Sequence, residues 1–66
     1  MKQPTETVKR ERIQGEYREM PGLKLTAAQA SRFWHLGLEE SRQLLESLVA
    51  DGALLRTPDG FYIFQG

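Results

Sequence analysis

The stretch that decides the fold reads Leu25-Thr26-Ala27-Ala28-Gln29-Ala30-Ser31-Arg32-Phe33-Trp34-His35-Leu36-Gly37-Leu38. Thr26, followed three residues later by Gln29, has the spacing of a capping box. The threonine hydroxyl can accept from the Gln29 backbone N–H while the glutamine side chain reaches back to the threonine N–H. A helix is therefore expected from Ala27 through Trp34, with Ala27, Ala30 and Trp34 on one face and the two alanines small enough to let another helix approach. His35-Leu36-Gly37 interrupts it. His35 reads as a turn residue tolerating unusual φ, Gly37 is free to turn, and Leu36, apolar yet stranded in a turn, makes sense as a plug for the core. A further helix starts near Leu38. Its buried stripe is Leu38, Ser41, Leu45, Leu48 and Val49, widened by Leu44. Glu39 and Glu40 in its first turn favour the positive end of the helix dipole, and Asp51-Gly52 ends it.

Upstream, a first helix is expected from about Thr5, with residues 1–5 frayed. Ile13, Tyr17 and Met20 recur at i, i+4, i+7 on one stripe, Val8 is a candidate to join it one turn off, and Gly15 weakens the helix by roughly 1 kcal/mol relative to Ala. Pro21-Gly22 stops it, because the residue before proline is pushed out of the α region and glycine accepts positive φ. Leu23-Lys24-Leu25 alternates apolar and polar, as a very short strand or extended link does. Downstream, Ala53–Arg56 and Phe61–Phe64 flank Thr57-Pro58-Asp59-Gly60. Pro, Asp and Gly at the second, third and fourth positions give a type I turn, and hence a hairpin.

The chain has 66 residues, 39% hydrophobic and 27% charged, with no cysteine. That bounds it to one small domain resting on packing, without a disulfide framework or a cysteine-based zinc site. No apolar stretch approaches the ~20 residues of a membrane span, and the start lacks a signal peptide's apolar region, so the expectation is a cytoplasmic protein. Net charge is zero but uneven: residues 1–24 hold six Lys/Arg against four Glu, and the remainder three Arg against five acids. A dedicated nucleic-acid binder usually carries a basic surplus, so composition argues mildly against one. There is no nucleophile beside a base, no carboxylate pair on an apolar face, no phosphate loop and no metal-ligand cluster in the sequence. The reading is accordingly non-enzymatic, with no cofactor, metal or small-molecule substrate evident. Trp34 reads as core, and Lys9-Arg10-Arg12, interleaved with Glu6, Glu11 and Glu16, as a salt-bridged surface.

The order helix, short strand, helix, turn, helix, hairpin, carried by Leu25 through Leu36, the third helix and Leu54 through Phe64, resembles the winged helix-turn-helix family of bacterial regulators. The resemblance covers residues 6–66 as one domain, mostly α with a small β-hairpin. Ser31 matches the family's small residue of helix two packed on helix three, Leu36 the apolar residue after the turn, and Leu44 the apolar packing position of helix three. The compact turn followed by Tyr62 is similar to the family's wing. The sequence departs from the pattern at His35, where Gly is frequent, at Ser41, where an aliphatic side chain is usual, and in the acidity of helix three. The resemblance implies a small transcriptional regulator that binds double-stranded DNA sequence-specifically through helix three and the wing. Glu39, Arg42, Gln43 and Glu46 would face outward, where Arg42 could pair with guanine, Gln43 with adenine and Glu39 with a cytosine amino group. Lys24, Arg32 and Arg56 would contact phosphates. Two alternatives stand beside it: a solvated helix face with no reading role, and a winged-helix protein–protein interaction module.

In the last strand, neighbours point to opposite faces. If Tyr62 and Phe64 face the core with Leu54, then Leu55, Phe61 and Ile63 form an outer apolar face. That face is either an interface or covered by the first helix. With the last strand as a possible exposed edge, it motivates the expectation of a two-fold homodimer.

Overall fold

A computed structural model describes residues 4–65, with side chains from Val8 onward. The elements are α1 (Pro4–Glu19), β1 (Lys24–Leu25), α2 (Ala27–Phe33), α3 (Leu38–Ala50), β2 (Leu54–Arg56) and β3 (Tyr62–Phe64). Three helices followed by a β wing, mostly α, is the expected class. α1 begins at Pro4, where proline's fixed φ suits a first helical turn. The expected frayed start is thus helical from Pro4 on, and residues 1–3 lie outside the described part. Ile13 and Tyr17 bury the inner face of α1, whereas Val8 and Met20 are exposed. Val8 lies five residues before Ile13, about 140° around the helix. Met20 falls past the helix end, where its carbonyl accepts from the Leu23 N–H at 2.9 Å. The Pro21-Gly22 turn forms without positive φ at Gly22, so its glycine is not used as expected.

The capping box of α2 closes in both directions: Gln29 N–H donates to Thr26 Oγ1 at 3.1 Å and Thr26 N–H to Gln29 Oε1 at 3.0 Å. α2 and α3 then end by the same device. Past α2, the Leu36 N–H donates to the Ser31 carbonyl at 2.8 Å; past α3, the Ala53 N–H donates to the Leu48 carbonyl at 2.9 Å. Both are the six-to-one bond of a Schellman cap, which needs a left-handed residue just beforehand. Gly52 fills that place after α3 with φ 84, and His35 after α2 with φ 55.

The fully buried small residue of α2 is Ala30, whereas Ser31 is half-buried and its hydroxyl donates to the Ala28 carbonyl of its own helix at 2.7 Å. Ser41, where an aliphatic residue was the norm, is fully buried, and its Oγ donates to the Ala27 carbonyl at 3.2 Å. Close approach and one hydrogen bond take the place of a methyl contact. Leu44, Leu45 and Leu48 complete the buried face of α3, while Leu38 is exposed. As the first helical residue, Leu38 leans toward the N-terminus, past the end of the helix rather than onto the core.

The sheet is three-stranded and antiparallel in the order β1-β3-β2. β1 is a true strand pairing Lys24 with Ile63 and Leu25 with Tyr62, while β2 pairs Leu54, Leu55 and Arg56 with Phe64, Ile63 and Tyr62. The last strand is therefore central, and the expectation of an exposed last-strand edge is overturned: the Leu23–Leu25 link supplies its second partner. Gly60 closes the hairpin turn with φ 91, its N–H donating to the Thr57 carbonyl at 3.0 Å. Leu54 and Tyr62 are buried on the inner face, with Leu25 and Phe64 against the same core. Lys24, Ile63 and Leu55 stand in register on the outer face. α1 reaches the sheet through buried Tyr17, whose hydroxyl donates to the Tyr62 carbonyl at 2.8 Å; this contact is to the inner face, not over Leu55 and Ile63.

Burial, and then the neighbouring Tyr62, push the Tyr17 phenol up from 10.0 to about 12. Because the folded state holds this proton to higher pH than the unfolded chain, the associated stability is complete below about pH 10 and disappears as pH rises through about 12. Across that window the unfolding free energy should fall about 1.4 kcal/mol per pH unit more steeply in the wild type than in Tyr17→Phe, measured by urea unfolding. Equal slopes would contradict the assignment. A Cβ added at Gly15, in the body of α1, meets nothing within 4 Å. Gly15→Ala should therefore raise stability by about 0.5–1 kcal/mol, read as a higher melting temperature; a lower one would show that the helix is strained there.

Candidate nucleic-acid interface

Gly37 caps α3 with backbone alone, so the helix begins without a side-chain cap. Glu39, Arg42 and Gln43 are all exposed there. One Arg42 nitrogen donates to both Glu39 oxygens, at 2.9 and 3.1 Å. The hydrogen bond first, and the Glu39 charge second, raise the guanidinium's proton affinity further. Arg42 is thus aimed by its neighbour one turn back.

Glu46, expected to face outward, is half-buried and turned to the wing. Its Oε2 accepts from the Tyr62 hydroxyl at 2.6 Å and from Arg56 Nη1 at 3.0 Å. Burial raises the Tyr62 pKa first and the bond to Glu46 second, against a lowering by Arg56. This three-residue network fixes the wing to α3. No local spacing announces it, since Glu46 and Tyr62 are 16 residues apart. At the wing tip Thr57 Oγ1 donates to Asp59 at 2.6 Å, which holds that carboxyl below its ordinary range.

The expected phosphate contacts do not gather into one patch. Lys24 pairs with Ile63 on one edge strand and Arg56 with Tyr62 on the other, so the two stand at opposite edges. Ile63 and Tyr62 are adjacent in β3 and point to opposite faces, and their partners do likewise. Lys24 rests its ammonium 4.5 Å above the Phe61 ring. Arg32 is exposed in the last turn of α2. On the outer sheet face Leu55 is exposed, with Phe61 and Ile63 half-buried.

Two cations of the basic run of α1 are salt-bridged to the ends of α3, Lys9 to Glu40 at 2.6 Å and Arg10 to the capping residue Asp51, whereas Arg12 has no ion pair among the described residues. Among the described residues no group of three or more His, Asp or Glu could hold a metal ion, and no helix is long and apolar enough to cross a membrane. No protein-family model, curated protein or solved structure matches this chain.

The two carboxylate networks differ in burial, which sets their energetic weight. A double-mutant cycle on Glu46→Gln and Tyr62→Phe should give a coupling of about 1 kcal/mol or more, because the hydrogen bond has a charged acceptor and a buried donor. The same cycle on Glu39→Gln and Arg42→Gln, both exposed, should give about 0–0.5 kcal/mol. Thermal melts of the seven chains check this, and a reversed order would contradict it.

Proposed function

We propose that this chain is a DNA-reading module whose α3 enters the major groove with the β2–β3 wing beside it. The observation that carries the reading is the exposed trio Glu39, Arg42 and Gln43 on a helix packed against α2 through the buried Ser41. Together these residues offer a cytosine acceptor, a guanine donor and an adenine donor–acceptor pair. The charge pattern shapes what such a module can do. With Arg56 held by Glu46 and Arg42 by Glu39, phosphate attraction falls to Lys24 and Arg32, and non-specific binding is weak. Specificity then rests on base contacts, in a small regulator or the DNA-binding part of a larger one. Two copies on a palindromic site would supply the affinity that one copy lacks; the outer apolar residues Leu55, Phe61 and Ile63 are where such copies could meet.

A second reading has its own support. The pairs Glu39–Arg42 and Glu46–Arg56 cancel, and the exposed Asp59 at the wing tip leaves the α3 and wing face slightly acidic, which suits a basic protein partner better than a duplex.

Selection from a randomised duplex pool at low salt distinguishes the two. The DNA reading expects a short enriched motif and a salt dependence of affinity with a log–log slope of roughly −2 to −3, corresponding to two or three phosphate contacts per copy. Arg42→Ala should cost about 1–3 kcal/mol and relax one base position, while Lys24→Ala weakens all sequences alike. Failure to enrich any motif removes the DNA reading and leaves the protein-interaction module.

A further inference from the structure

Between α1 and the turn joining α2 to α3 lies an open hollow of about 180 Å³, lined by Lys9, Arg12, Ile13, Trp34, His35 and Leu36. Its chemistry is divided. Ile13 is fully buried, and Trp34 and Leu36 pack half-buried against the core, so they form an apolar, partly aromatic floor. At the rim stand cationic or N–H-bearing side chains, with no carboxylate among the lining residues. Lys9 is already held by Glu40. Arg12 is exposed and, among the described residues, lies within ion-pair distance of no carboxylate.

The backbone adds an independent observation. His35 holds φ 55 at the place where a Schellman cap ordinarily takes glycine. A non-glycine residue there costs roughly 1 kcal/mol, and strain of this kind, kept beside a hollow, points to use of the side chain. The imidazole supplies an N–H donor at the rim in either tautomer.

We infer that this hollow binds a small carboxylate with a flat apolar body. The body lies on the Trp34 ring between Ile13 and Leu36, and the carboxylate accepts from the Arg12 guanidinium and the His35 ring N–H. Charge-assisted bonds of that type are the stronger kind, and a cavity of about 150 Å³ already admits a benzene ring. The inference is independent of DNA binding, since none of these residues belongs to the α3 and wing face.

Titration of the isotope-labelled full chain with benzoate, followed by amide and indole N–H shifts, tests it. Saturable shifts should centre on the Trp34 indole and the Trp34–Leu36 amides, and Trp34, the sole tryptophan, should report the same event by fluorescence. Benzamide, which lacks the charge, and acetate, which lacks the ring, should each bind at least about ten-fold more weakly. Arg12→Gln should weaken benzoate by about ten-fold, and His35→Gly should weaken it several-fold while melting no lower than the wild type. Benzamide equal to benzoate, shifts that never saturate, or benzoate affinity unchanged in Arg12→Gln would each overturn the assignment.

Discussion

The hydroxyl of Tyr17, donating to the carbonyl of Tyr62 at 2.8 Å, is the tie on which the rest of the arrangement depends. Among the side chains described in α1, only Ile13 and Tyr17 are buried, so the helix has little apolar surface to hold it in place. An aromatic ring fully removed from water contributes about 2–3 kcal/mol, and its hydrogen bond about 1 more. The acceptor lies on β3, which pairs with both β1 and β2, so one contact docks α1 onto the whole sheet. The Trp34 ring, 6.3 Å from that of Tyr17 at an interplanar angle of 45°, brings the end of α2 to the same point. Phenol burial and strand order thus support each other: β3 can be central because α1 lies on its inner side and leaves both edges open for pairing.

The two Schellman caps show how one local device produces two different surfaces. After α3 the left-handed residue is Gly52, and the chain passes through Ala53 into β2 with nothing projecting. After α2 it is His35, and the same turn places an imidazole at the surface beside α1. Backbone hydrogen bonding is satisfied in both cases, so the cap itself does not demand the histidine. Leu36, whose N–H makes the cap bond, packs on the core and fixes where the His35 side chain stands.

Much of this was legible in the sequence where the signal was local. The Thr26/Gln29 box, the turn at Thr57–Gly60 and the i, i+3, i+4, i+7 pattern of Ser41, Leu44, Leu45 and Leu48 each specify structure within a few residues, and each formed. Errors arose at helix ends, where periodicity loses its meaning. Met20 falls after the last turn of α1, and Leu38 tilts past the first turn of α3. Non-local pairing was the other gap. Leu23–Leu25 has the pattern of a strand or a link, but nothing local in it points to β3 as partner, so the central place of β3 is not visible from the sequence. The candidate site was legible as a roster of exposed residues on α3. That Glu46 turns inward to Tyr62 and Arg56 required the wing to be in place, and that Lys24 and Arg56 lie at opposite edges required the strand order.

Charge is where sequence and structure combine into a constraint on function. Surface ion pairs contribute little stability individually, so those of Lys9, Arg10, Arg42 and Arg56 matter less for holding the fold than for the electrostatic potential they leave behind. Two of them answer the acids at the ends of α3 with cations from α1, and two pair the remaining α3 acids with Arg42 and Arg56, leaving Asp59 at the wing tip. The cations without a carboxylate partner among the described residues, Arg12, Arg18, Lys24 and Arg32, lie on α1, β1 and α2. Long-range attraction therefore does not favour α3 and the wing over the rest of the surface. A partner at the proposed α3 interface would be selected by shape and hydrogen-bond geometry after contact, and the exposed Glu39–Arg42 pair is weak enough to open for such contacts. The opposite holds for the hollow beside His35, where Arg12, without a carboxylate partner among the described residues, lines the same space as the apolar Ile13, Trp34 and Leu36, so that charge and shape would act together on a ligand of the proposed kind.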